Sequence, residues 1–355
     1  FFLVSCAMHD SIKLDNEKTN FVFSFSVRFT GVEKNNTYQW LGIPYAQAPV
    51  RSLRWKAPRP LQDQEKKIKA LKFGNPCPQT ESVSIDKKGN GLYVGSEDCL
   101  FLNVFTPKNI NQEKNLPVMF WIHGGGNTSG ESGSYDFSKL ATAHNLVIVT
   151  INYRLGFLGW FYHPSFAATS NNLEDRSGNF GTLDQIMALK WVQQNIEDFG
   201  GDKNNVTIFG ESAGGHNVFA LLSSPLAKNL FHKAISQSGA TDTFNLNEAS
   251  KFFDNNENSL LTSSKEGVSR LLVNEKTSKD LFEANIAQES MNEFKLLEQM
   301  QAVGLDEIFK IYENLQNSNQ DGKKMIPRVL SDGHVLPKRG IQFSDKNFYN
   351  DVPVI

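Results

Sequence analysis

The sequence predicts an α/β chain built on a mainly parallel, twisted sheet with helices on both faces. Three apolar runs and the turns after them carry that prediction. Leu116–Ile122 is an apolar strand candidate that ends in His123-Gly124-Gly125-Gly126. Leu146–Ile151 is almost continuously apolar, as a strand buried on both faces of a parallel sheet must be. Leu183, Ile186, Met187 and Trp191 then recur at helical spacing as core packing, and Gly200-Gly201 stops that helix. Asn205–Phe209 is β-branched and apolar, and leads through Gly210-Glu211-Ser212-Ala213-Gly214 into a helical stretch over 215–222. Strands alternating with helices in this way call for a sheet covered on both sides. After Asn245 the chain turns polar and rich in Lys, Glu and Asn, and 283–315 has helical periodicity.

Two of the turns carry chemistry. Gly210–Gly214 fits G-x-S-x-G, a sharp strand-to-helix turn that lifts a serine hydroxyl out of the sheet. Only residues without a Cβ let strand and helix approach closely on either side of a strained serine. The glycines after His123 leave a loop that can bend around a developing oxyanion, with backbone N–H groups as donors. Gly125, Gly126 and Ala213 are the candidate donors, and Ser212 is the candidate nucleophile. No Gly-Lys-Ser/Thr follows the glycine run, so a phosphate-binding loop is a poor reading.

The chain resembles the type-B carboxylesterases of the cholinesterase-like family, within the α/β-hydrolase fold. The matching stretches are Leu41-Gly42-Ile43-Pro44-Tyr45-Ala46, Ser96-Glu97-Asp98-Cys99-Leu100, the His-Gly-Gly-Gly loop, Asn152-Tyr153-Arg154, Gly178–Gly181 with Leu183-Asp184-Gln185, the serine turn, and Ser236-Gln237-Ser238-Gly239. Asp332-Gly333 and Leu336-Pro337 continue the match, and 245–325 fits only loosely. The resemblance implies one α/β-hydrolase domain over 11–355 with a cap-like helical region at 245–325. It implies an ester hydrolase working through an acyl-serine on a small-molecule ester, with neither cofactor nor metal. A non-catalytic binding or adhesion module of the same family is the alternative; such members commonly lose the serine or the oxyanion glycines, and this chain keeps both.

The same resemblance extends to further residues. Cys77 and Cys99 lie in stretches similar to the family's first disulfide loop, two buried free thiols being the other reading. Arg54 and Glu97 fall where the family anchors that loop with a salt bridge. Glu211 resembles a buried acid near the base and leaving group, or alternatively a structural hydrogen-bonding group; Ser238 resembles a supporting serine. Choline selectivity in relatives depends on a loop tryptophan, and residues 78–98 offer Tyr93 and no tryptophan. The family's acid and histidine belong beyond Ile355, so the resemblance implies a chain that lacks the last part of the fold and is inactive alone. His216, His232 and His334, which follow Ser212, read as structural.

The 355 residues suffice for one large core, and a net charge of −2 gives no electrostatic footprint for nucleic acid. Leu3-Val4-Ser5-Cys6 resembles a bacterial lipobox, which makes 1–10 a remnant of an export signal, with membrane attachment through a lipidated Cys6 or a non-lipidated secretory peptide as the two readings. Export to the bacterial envelope or medium is the expected location. Asn35-Asn36-Thr37, Asn127-Thr128-Ser129 and Asn205-Val206-Thr207 match the glycosylation pattern, the last two by chance given the strands they abut.

Overall fold

The computed structural model describes residues 13–14, 19–24, 27–62, 67–80, 93–111, 115–252, 262–318, 329–346 and 349–355. The export signal expected over 1–10, with Cys6, lies outside the described residues.

The first strands, β1 (Lys13–Leu14), β2 (Thr19–Ser24), β3 (Val27–Lys34) and β4 (Thr37–Pro44), pair antiparallel in sequence order; β3 alternates buried and half-buried residues over its first six positions, while β4 is buried along most of its length. Asn35 and Asn36 join β3 to β4 with left-handed φ values of 50° and 60°. A two-residue hairpin needs that backbone to match the twist of its strands, and asparagine tolerates it. β5 (Lys67–Lys69) pairs parallel with β3. β6 (Phe101–Pro107) runs antiparallel between β4 and β8 (Val147–Ile151). From β8 onward the order is β8, β7 (Leu116–Ile122), β9 (Gly201–Glu211) and β10 (Lys233–Gln237), all parallel. The sheet is therefore mixed, and both chemical turns sit at the carboxyl ends of its parallel strands. Beside β10, Val354 forms a parallel bridge to Ala234.

Adjacent residues of the central strands feed opposite layers. Val147 and Val149 on β8 join Val104, Phe120 and Ile208 in the main core, against α4 (Phe180–Asn195). Ile148, between them, packs instead with Phe105 and Ala141 of α1 (Ser138–His144). Each fully buried aliphatic side chain of this kind contributes about 1.5–3 kcal/mol. α4 ends at Asn195, short of the expected glycine stop, because Ile196–Gly200 tighten into turns (Phe199 N–H to Ile196 C=O, 3.1 Å) before Gly200 reverses the chain at φ 88°. α5 (Ala213–Ser223) packs on β9 and β10 directly behind the serine.

A second cluster joins the short α2 (Gly156–Gly159) and α3 (Pro164–Ala168) to helices α7 (Ser264–Asn274), α8 (Leu281–Ser290), α9 (Glu293–Ala302) and α10 (Leu305–Ser318), and α6 (Leu246–Ser250) lies against α7. Helix here begins earlier than the periodicity of 283–315 suggests, and it is broken into segments. The breaks are written as N-caps: the Ser263, Asp280 and Asn292 side chains each accept from a backbone N–H of the first turn that follows. Among the described residues no helix is long and apolar enough to cross a membrane.

Candidate active site

β9 delivers Gly210 and Glu211 to a turn in which Ser212 takes φ 55° and ψ −119°. A side chain at such a backbone position costs about 1–3 kcal/mol and persists only where the surroundings impose it. They do. The Ser212 N–H donates to Gln237 C=O on β10 (2.8 Å), and its own C=O accepts from His216 N–H in α5 (3.0 Å). The glycines are required by contact: a Cβ on Gly210 would lie 2.5 Å from the Gly214 carbonyl carbon, and one on Gly214 only 2.1 Å from Ile122 O. The turn is clasped between β7, β9 and β10, with Ser212 and Ala213 half-buried at its apex.

The glycine loop after β7 lies against this turn. A Cβ on Gly124 would be 3.4 Å from Ser212 Cβ. Gly125 and Gly126 both have left-handed φ values, 96° and 64°. The Gly125 carbonyl accepts from Thr128 and Ser129 N–H (3.0 Å each). Across a trans peptide that orientation turns the Gly126 N–H to the opposite side, out of the loop's own turn.

Three side chains hold the loop. His123 is buried and stacks on Tyr153 (centroids 4.3 Å apart, 18°), whose hydroxyl donates to His123 C=O (2.5 Å). His123 Nδ1 lies 2.8 Å from Gly124 O, and since a carbonyl only accepts, that nitrogen carries the proton. Burial pushes this imidazole down to about 4, so at neutral pH it is an uncharged wedge. Asn127 is buried with φ 58°; its side-chain oxygen accepts from Asn217 Nδ2 of α5 (2.9 Å) and its carbonyl from Gly156 N–H (2.7 Å). At the far end, the amide of Gln79 bonds both backbone groups of Gly130.

Asn152, Tyr153 and Arg154 form a bracket behind the site. Asn152 Oδ1 accepts from Ser132 N–H (2.7 Å), and its Nδ2 donates to Asn75 C=O (2.8 Å). Arg154 meets Asp184 of α4 through Nε and Nη2 (2.8 and 2.7 Å) and donates through Nη1 to Lys56 C=O (2.7 Å). A buried pair of this kind fixes geometry more than it adds net stability, because desolvation offsets the attraction.

A family model described as the carboxylesterase family matches residues 27–355. The chain belongs to the carboxylesterase family. It is 47% identical over 221 residues to para-nitrobenzyl esterase of Bacillus subtilis (strain 168), covering 62% of this chain and 43% of that protein. It is 38% identical to carboxylesterase 1D of Rattus norvegicus, over 89% of this chain and 53% of that protein. A solved PNB esterase superposes with a TM-score of 0.70 at 34% identity, over 89% of this chain and 58% of that one. The chain thus spans about half the length of the curated relatives it matches, and its fold is that of the α/β-hydrolases.

The carboxylesterase resemblance placed other residues with mixed outcome. Cys77 and Cys99 are joined by a disulfide, not free thiols. Arg54 meets Glu97 through Nε and Nη2 (2.7 and 2.8 Å), and its Nη1 caps α9 at Val303 C=O (2.7 Å), tying the disulfide loop to the helical cluster. Tyr93 of that loop stacks on Phe309 of α10 (4.9 Å, 15°). Glu211 is exposed, with its carboxylate beside Gly124, where a Cβ would lie 3.1 Å from Glu211 Oε2. Ser238 is likewise exposed, with φ 54°, one residue past the Gln237 carbonyl that holds Ser212. His232 is half-buried, its Nδ1 accepting from Val206 N–H (3.1 Å) between β9 and β10. His216 is buried on α5, and His334 sits in the turn organised by Asp332, whose carboxylate accepts from the amides of 334–336. The roles of Tyr153, Asn127, Asn217 and Gln79 have no sequence signature: each works through a hydrogen bond that several residue types could make.

Proposed function

We propose that the full-length protein carrying this carboxylesterase-family chain hydrolyses carboxylic esters through an acyl-serine intermediate. The observation that carries the reading is Ser212 held at a strained φ beside a loop whose Gly126 N–H is turned outward. Ser212 Oγ attacks the ester carbonyl, and the N–H groups of Gly125, Gly126 and Ala213 hold the oxyanion that develops. The alkoxide then leaves as the alcohol, with the proton that Ser212 Oγ gave up, and water cleaves the acyl–serine bond, its hydroxyl going to the acid and its other proton back to Ser212 Oγ. His123 is no proton carrier here: its Nδ1–H is committed to Gly124 O and its burial disfavours charging. His216, His232 and His334 are likewise not assigned as the base, and Glu211 and Ser238 are at most supporting groups. Helices α6–α10 act as the cap. Retention of both serine strain and oxyanion glycines favours an enzyme over an adhesion module, since strain without chemistry only costs stability.

Among relatives, the name para-nitrobenzyl esterase points to uncharged aryl-alkyl esters as the substrate class. With Tyr93 and no tryptophan in residues 78–98, a choline headgroup gains no strong cation–π partner there. The Cys77–Cys99 disulfide supports an oxidising compartment, hence export. The test is reaction of the full-length protein with a fluorophosphonate probe and an aryl ester, beside Ser212→Ala. Labelling and turnover should both vanish in the variant, and choline esters should be no better than neutral isosteres. Hydrolysis by Ser212→Ala above about a thousandth of the parent rate would overturn the nucleophile assignment.

A further inference from the structure

We infer that Gln79 is a positioning residue for the oxyanion loop, coupling the base of the Cys77–Cys99 loop to the glycines beside Ser212; this rests on the serine-esterase reading above. Gln79 is fully buried, and both its donors and its acceptor are used. Nε2 donates to Cys77 C=O (3.0 Å) and to Gly130 C=O (3.0 Å), while Oε1 accepts from Gly130 N–H (2.8 Å). The side chain thereby grips one peptide position from both sides, as a paired strand would.

Both ends of this contact are fixed. Gln79 itself is pinned by a two-way backbone pair with Val94 (3.0 and 2.8 Å), two residues from the disulfide. Gly130 has φ 111°, and a Cβ there would lie 2.4 Å from His123 Nδ1 and 2.7 Å from Gly124 O. Its backbone therefore rests directly on the histidine ring and the first glycine of the oxyanion loop. The seven-residue span from Gly124 to Gly130 is closed internally by Thr128 and Ser129 N–H on Gly125 C=O. A shift of Gly130 has no slack to absorb it before it reaches Gly125 and Gly126. Oxyanion donors act only within about 2.7–3.1 Å of the developing charge. A displacement of about 1 Å from a remote change can cost roughly a hundredfold in rate.

The experiment compares the full-length parent protein with Gln79→Met, which keeps size but no hydrogen bonds, and Gln79→Glu, which can still accept from Gly130 N–H but cannot donate. Measured are kcat and KM on an aryl ester, and inhibition by an aryl trifluoromethyl ketone, whose serine adduct places an oxyanion in the same hole. In both variants kcat should fall about ten- to a hundredfold with KM within about threefold, and ketone affinity should fall by the same factor as kcat/KM. A purely structural role would lower thermal stability and leave these ratios alone. A folded variant with kcat and ketone affinity within about twofold of the parent overturns the inference, as does a fall in kcat that the ketone does not share. If Gln79→Met fails to fold, Gln79→Glu carries the comparison. A parent that neither turns over the ester nor binds the ketone overturns the esterase reading and this inference together, whereas an active parent with unmoved variants overturns the inference alone.

Discussion

A single methyl group separates Gly214 from disaster. Placed there, it would sit 2.1 Å from Ile122 O, a backbone atom of a central strand that cannot step aside. Gly214→Ala should therefore destabilise the protein by about 3 kcal/mol or more, the upper range for forcing extra volume into a packed core. Gly304→Ala is the control, because a Cβ at Gly304 meets nothing within 4 Å; it should stay within about 1 kcal/mol of the parent. Denaturant midpoints of the two variants decide the matter, and equal shifts would count against close approach as the reason for the glycine. This asymmetry also explains which site residues can be read from sequence. Gly210, Ser212, Gly214 and the glycines of 124–126 are legible because only those residue types satisfy the geometry. Tyr153 and Asn217 are not, because what matters is where their hydroxyl and amide reach, and reach depends on the finished fold.

Between elements, the contact that titrates is His163. Its ring joins α3 to α8: Nδ1 accepts from Ser165 N–H (3.2 Å), so the proton is on Nε2, which donates to Gln288 Oε1 (3.0 Å). The ring is buried, and burial pushes it down to about 4, as for His123. Lys265, whose backbone carbonyl accepts from Gln288 Nε2 (3.1 Å), further disfavours charging; the other facing groups, Ser269 and Phe166, are uncharged. With the folded value depressed below the unfolded one near 6.5, the unfolded chain takes up the proton first as pH falls. Stability should be full above about pH 6.5 and decline toward pH 4, with a limiting slope of about 1.4 kcal/mol per pH unit per histidine. Urea unfolding across that range checks it: His163→Gln should remove about one proton from the linkage, and an unchanged slope would place the acid lability elsewhere. The helix boundaries around this contact were only partly legible. Periodicity finds α8 to α10, but the breaks at Asp280 and Asn292 are single-residue caps that periodicity does not register. On the sheet, the parallel strands announce themselves as unbroken apolar runs. The antiparallel β2–β4 mix apolar and polar residues without a long unbroken apolar run and carry no chemical turn, which leaves little to set them apart from loops.

At the scale of the molecule, the serine motif is local in sequence but not in cause. Ser212 is strained because strands begun 96 residues earlier, at Leu116, and 21 later, at Lys233, meet around it. Family membership was legible for the same reason, since residues that answer to a shared global packing recur in fixed order along the chain. The buried Asn127 has a consequence for producing the protein. It opens the tripeptide Asn127-Thr128-Ser129, which glycosyltransferases of a eukaryotic secretory pathway read on the nascent, extended chain. In the folded protein Asn127 is 1% exposed, with its side-chain oxygen on Asn217, and no sugar fits there. Glycan transfer and folding are thus competitors for one side chain: every molecule modified at Asn127 is diverted to quality control. Secreted material should carry an unmodified Asn127 by mass spectrometry, and Ser129→Ala, which abolishes the signal while losing only one long hydrogen bond to Gly125 C=O (3.2 Å), should raise the yield from such a host and not from a bacterial one.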